Sequence, residues 1–233
     1  MPWHFGGTRF LPPQADQLSE LAILMWSAND SFVLADLVVV CLHCDLEFSF
    51  FPSPGRVRLC RRLIDQGAHL VIQHHPHVCQ GIEEYKDGLI AYSLGNFVFP
   101  VAGNAYMDKM PGTDWGLLLY VDVSLGSERP RLAWQAMPIT IDTINRTLPS
   151  SGDRREEQLR ALTVMSQGLR DPQKLRREWR KRCMREARST YHVLAHVCQR
   201  NGLAEMLREG IKLARSPYER RWIYGLLTGG VSG

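Results

Sequence analysis

The chain has 233 residues, 45% hydrophobic and 22% charged, a composition that allows one globular domain with a buried core plus an appendage. No run of eighteen apolar residues occurs, which excludes a membrane-spanning helix, and the opening MPWHFGGTRF lacks the charged-then-apolar order of a signal peptide. The net charge of +4 hides a split: 10 Lys/Arg against 15 Asp/Glu over residues 1–150, then 18 against 9 over residues 151–233.

In chain order, QADQLSELAILMWSAND carries helical spacing, with Leu18, Leu21, Ile23 and Leu24 near one face. ADLVVVCLH reads as a buried strand near 36–42, with His43 at its exit. FPSPG is a turn. RVRLCRRLIDQG places Val57, Cys60, Leu63 and Ile64 on one helical face, with arginines outside and Gly67 as the helix stop. AHLVI (68–72) is a second buried strand, so the order strand–helix–strand predicts a βαβ unit with parallel strands. GLIAYSLGNFVFP (88–100) reads as another strand ending in a Gly-Asn turn. WGLLLYVDVSL (115–125) and PRLAWQAMPITI (130–141) read as a hairpin pair. Beyond residue 150 the period becomes helical in three segments, broken at Asp171-Pro172 and Asn201-Gly202. The predicted organisation is therefore 1–150 as an α/β domain and 151–233 as a basic helical extension, whose charge is either a polyanion-binding face or a solvated one.

The chemistry concentrates at strand ends. Ligands of open α/β sheets bind beyond the carboxyl ends of parallel strands. His43 leaves one such end, and His74, His75 and His77, in VIQHHPHVCQ, leave the next. Neutral imidazole suits zinc, iron and nickel, and manganese where carboxylates join it. Pro76 restricts its own backbone and that of His75, which directs the rings. Other candidates are weaker. His69 sits at a strand start and reads as structural. His192 and His196 are spaced i, i+4 without a neighbouring acid. Strand alternation points Cys41 and His43 of CLHC to one side and Cys44 to the other, and no second knuckle follows. The six cysteines show no disulfide framework, which predicts reduced thiols and a cytoplasmic location, with peripheral membrane association as the variant.

HCDLE (43–47), AHLVIQHHPHV (68–78) and LIAYSLGNFVF (89–99) together resemble the bacterial capsule-synthesis family of poly-γ-glutamate proteins (CapA, PGA_cap), itself similar to the calcineurin-like metallophosphoesterases. The resemblance covers roughly residues 30–140. It implies an α/β fold, a partial metallophosphoesterase-like sandwich in which a mixed sheet is flanked by helices, followed by the helical extension. It implies metal ligation by His43, His77 and one of His74 or His75. With His75 as the ligand, the resemblance implies catalytic roles for His74 and Glu47, and contact with substrate or shaping of loops for Asn96 and Glu83. A plain Gly-Asn turn is the alternative for Asn96.

The chain departs from the family pattern at Cys44, Asp45, His69 and Gln73. The family's N-terminal half, with its Gly-Asp strand end, has no counterpart before residue 36; SAND (27–30) is a poor substitute. The cofactor implied is a divalent ion (Mn, Fe or Zn), one rather than two. The expected function is that of a truncated or divergent metal-dependent hydrolase or ligase component of capsule biosynthesis. The substrate would be an acidic polymer or a phosphate compound, and the partner a complementing N-terminal fragment. The alternative is a non-catalytic polyanion-binding or helical interaction module. No specific nucleic-acid recognition is expected.

Overall fold

The computed structural model describes residues 36–125 and 129–228. The helix expected in QADQLSELAILMWSAND lies outside them.

Strand β1 (Val39–His43) is followed by helix α1 (Pro54–Asp65) and strand β2 (Leu70–His74). The strands pair in parallel, with His43 opposite His74. The predicted βαβ unit therefore exists. Helix α1 starts because Ser53 caps it: the Ser53 side chain accepts from the Arg56 amide, and Pro54 occupies the first turn. It ends where Gly67 takes φ 108, a backbone that favours glycine. Its buried residues include Val57, Cys60, Leu63 and Ile64, the expected face.

β1 corrects one expectation. It is not buried on both sides: Val40 and Leu42 face the core, while Val39, Cys41 and His43 are exposed. A second correction concerns residues 80–100. A hairpin of β3 (Ile82–Tyr85) and β4 (Gly88–Ala91) occupies the region, and regular strand stops at Ala91 rather than running toward residue 100. The four-stranded sheet has the order β1-β2-β4-β3, with β4 parallel to β2 and antiparallel to β3.

Strands β5 (Trp115–Ser124) and β6 (Arg131–Ile141) form the expected antiparallel pair, and a short β7 (Thr147–Pro149) completes a separate three-stranded sheet. The helices that follow are α2 (Gly152–Gly168), α3 (Pro172–Asn201), α4 (Leu203–Arg215) and α5 (Pro217–Thr228). The last expected helical segment is thus two helices. Pro217 supplies no amide for a continuing helix, so the chain breaks at Ser216.

The sheets pack as layers. On one face of the first sheet, α1 buries Val57, Cys60, Leu63 and Ile64 against Val40, Leu42, Val71 and Ile90. On the other, Leu70, Leu89 and Ala91 meet Trp115 and Leu117 of β5 and Leu162 and Met165 of α2. The chain is therefore α/β with a mixed sheet flanked by helices, consistent with a partial metallophosphoesterase-like sandwich. Leu169 and Leu175 also enter the first core, so the C-terminal helices share the interior.

Glu83 is part of this frame. Arg61 of α1 grips its carboxylate in a bidentate pair, at 2.6 Å for the shortest contact, and Tyr92 donates to it at 2.8 Å. Burial pushes the Tyr92 phenol well up, which keeps it a donor. Glu83 therefore pins α1 to the sheet.

Candidate metal centre

Because β1, β2 and β4 are parallel, the segments that leave them emerge at one edge. Those segments carry His43, the 74–77 turn and Asn96. The two turns are laced together: the Cys44 amide donates to the His74 carbonyl at 3.2 Å, and the Phe48 amide to the Pro76 carbonyl at 2.8 Å. The buried Asp45 carboxylate receives the Leu46 amide and, at 2.9 Å, the amide of Ser53 at the start of α1.

Both turns hold non-glycine residues in the left-handed region: Asp45 (φ 92), Phe48 (φ 55), His75 (φ 100) and His77 (φ 58). His75 takes positive φ although it precedes Pro76, in a turn tied to its neighbour by the Cys44 and Phe48 amides. Each such residue costs about 1–3 kcal/mol, and clustering of this kind marks functional turns.

The result is a convergent donor group. One atom each of Glu47, His75 and His77 lie within 4.8 Å of one another. Glu47 Oε1 stands 4.0 Å from His77 Nε2. The His43 ring lies 5.0 Å from that of His75, at the margin of the group. His74, the partner of His43 in the strand register, faces solvent; partial desolvation and the neighbouring His43 hold its imidazole below the ordinary value. His192 and His196 are both exposed on α3, away from this group.

Asn96 explains the orientation of His77. Its side-chain amide donates to the Thr113 carbonyl at 2.9 Å, and a carbonyl can only accept, so Oδ1 must face His77. Oδ1 lies 2.9 Å from His77 Nδ1, which therefore carries the proton. His77 Nε2 then presents a lone pair toward Glu47 Oε1, another acceptor. A divalent cation between them, or a proton on Nε2, would satisfy this 4.0 Å pair. Gly95, at φ 71, takes the left-handed position of the Gly-Asn turn, so Asn96 is needed for its side chain. Gly116 lets this happen: a Cβ there would stand 2.0 Å from the Asn96 carbonyl oxygen.

The donor set fits a divalent ion. Two neutral imidazoles with one carboxylate is a composition of catalytic zinc sites, and the same donors suit iron or manganese. Each donor must come within about 2.0–2.2 Å of such an ion, so the group would contract slightly on binding.

Sequence reasoning missed Tyr106, whose hydroxyl donates to Glu47 Oε2 and whose ring packs edge-on against Phe48 at 5.2 Å. It lies in an irregular segment with no periodic signal. Gln73, which departs from the family pattern, is buried and donates to Cys60 Sγ at 3.2 Å, so it fills the sheet edge beneath the turn.

The family described as "Bacterial capsule synthesis protein PGA_cap" matches residues 15–101. The "Capsule biosynthesis protein CapA" of Bacillus anthracis is 51% identical over 65 residues, 28% of this chain and 16% of that protein. The "PGA biosynthesis protein CapA" of Bacillus subtilis is 46% identical over 65 residues, 28% of this chain and 17% of that protein. A protein of Sinorhizobium fredii is 43% identical over 70 residues, 27% of this chain and 15% of that protein. The chain thus matches about a sixth of the length of these relatives. Through the segment that carries the histidine turn, the chain is therefore similar to the bacterial capsule synthesis proteins.

Proposed function

We propose that the chain is a metal-dependent component of capsule biosynthesis, acting on a phosphate-containing or acidic polymeric substrate at the Glu47–His75–His77 group. The observation that carries this reading is the facing pair of His77 Nε2 and Glu47 Oε1, oriented by Asn96. Glu47, His75 and His77 would hold the ion, with His43 beside them. A bound divalent ion supplies Lewis-acid polarisation of a phosphoryl or acyl oxygen and acidifies water. The chain's own residues do the rest. Asn96 fixes the tautomer of His77. Tyr106 occupies the outer oxygen of Glu47 and limits its rotation. His74, exposed and with its imidazole held below the ordinary value by partial burial and His43, would exchange a proton with the substrate.

The test is metal content and Zn²⁺ or Mn²⁺ affinity of the purified chain. Glu47→Gln and His77→Ala should each lower affinity at least tenfold; wild-type affinity in both would remove the reading.

A second reading rests on α3. Its exposed Arg176, Arg177, Arg180 and Lys181 surround a shallow surface cavity with Met184. This supports polyanion binding without turnover. Salt-sensitive binding of a polyanion that survives Glu47→Gln would favour it.

A further inference from the structure

The turn that carries Glu47 is held from outside by the C-terminal helices. Leu46 is fully buried in a cluster with Trp179 and Cys183 of α3 and Trp222 of α5. One residue on, the Glu47 carbonyl accepts from Arg182 Nε at 3.0 Å. Arg182 is itself buried, at 7% exposure, and its Nη1 is paired with Glu186 one helical turn away. Helix α5 presses closely behind: a Cβ on Gly225 would meet Trp179 Nε1 and Cys183 Sγ, both at 2.6 Å. The 45–48 turn has left-handed residues at Asp45 and Phe48, so it does not hold this shape by its own preference.

We infer that Arg182 is a positioning residue for the candidate metal centre: by clamping the main chain of Glu47, it aims that carboxylate at His75 and His77. This rests on the metal reading proposed above. It also assigns a role to the basic helical segment, as the brace of the site. The clamp needs arginine. A guanidinium offers Nε to the carbonyl and Nη1 to Glu186 from one rigid fork, while a lysine ammonium is a single point on a flexible stem. The bond lies between α3 and a turn 135 positions earlier, so no local sequence pattern announces it.

The test uses the full chain and Co²⁺ as the probe, read by affinity and by the visible absorption of the bound ion. Arg182→Lys should weaken Co²⁺ binding about tenfold and alter its absorption band, as loss of an outer partner of a ligand does. Glu186→Gln, which keeps the shape and releases the guanidinium, should weaken it by a smaller factor; it carries the test if Arg182→Lys does not fold. Arg188→Lys, exposed on the same helix, should change nothing. The decisive comparison is a cycle with Glu47→Gln. If Arg182 acts through Glu47, Arg182→Lys should add little in that background. Fully additive losses, or unchanged Co²⁺ binding in Arg182→Lys, would overturn the inference while the metal reading stands. Unchanged binding in Glu47→Gln and His77→Ala would overturn both.

Discussion

Replacing Asn96 tests the geometry most directly. The residue is 4% exposed and makes two hydrogen bonds of 2.9 Å, one to His77 Nδ1 and one from its amide to the Thr113 carbonyl. Asn96→Ala removes both and leaves a buried carbonyl without that donor. At about 1 kcal/mol for each bond and about 1–2 kcal/mol for the orphaned acceptor, the fold should lose roughly 3–4 kcal/mol. His77 loses its orienting partner as well, which should weaken metal binding about 10–100-fold. Asn96→Asp separates the two effects. It keeps an oxygen for His77 Nδ1 but turns a carboxylate toward the Thr113 carbonyl, so it should destabilise the fold while recovering most of the affinity. Urea unfolding measures the first quantity, and Zn²⁺ competition against a chromophoric chelator the second. If Asn96→Ala binds Zn²⁺ like the native chain, or Asn96→Asp binds no better than Asn96→Ala, the orienting role is wrong.

Gly116→Ala should displace the Asn96 backbone, since the added carbon meets its carbonyl oxygen; loss of both thermal stability and Zn²⁺ affinity is expected, and a native-like melting curve would contradict it. Leu46→Ala should cost about 2–5 kcal/mol in urea unfolding, because the side chain is fully buried among Trp179, Cys183 and Trp222. Ser53→Ala should cost about 1 kcal/mol by removing the cap of α1, checked by the same measurement. His69 gives a pH signature. Its Nδ1 accepts the Val38 amide at 2.9 Å, and burial, with Arg129 nearby, holds its imidazole below the ordinary 6.5. The unfolded chain therefore takes up a proton first as pH falls. The stability contributed by neutral His69 is full above about pH 6.5 and lost progressively below it, toward the depressed value. Stability measured from pH 7.5 to 5 should fall less steeply in His69→Asn; an identical slope would refute the assignment.

Much of the frame was legible because it rests on local pattern. The spacing of Val57, Cys60, Leu63 and Ile64 fixed the buried face of α1, and two short apolar runs around it fixed the parallel pair. Their common edge followed from topology alone, and with it the neighbourhood of His43 and the 74–77 turn. What stayed hidden depends on contacts distant in sequence. The hairpin of β3 and β4 is too short to show a period. Glu83 looks like a site acid until Arg61 and Tyr92 are seen on it. The left-handed backbone of His75 runs against what Pro76 alone would dictate. The sequence also gave no reason to prefer Glu47 over His43 within the donor group, because that choice is made by how the 45–48 turn curls toward His77.

That curl has a further consequence. At residues 75 and 77 the substitution that would most relax the main chain is glycine, and glycine would delete the imidazole. Selecting random variants for heat tolerance alone should therefore enrich turns with no rings at all. The hardiest form of this fold would be one that has given up its imidazoles.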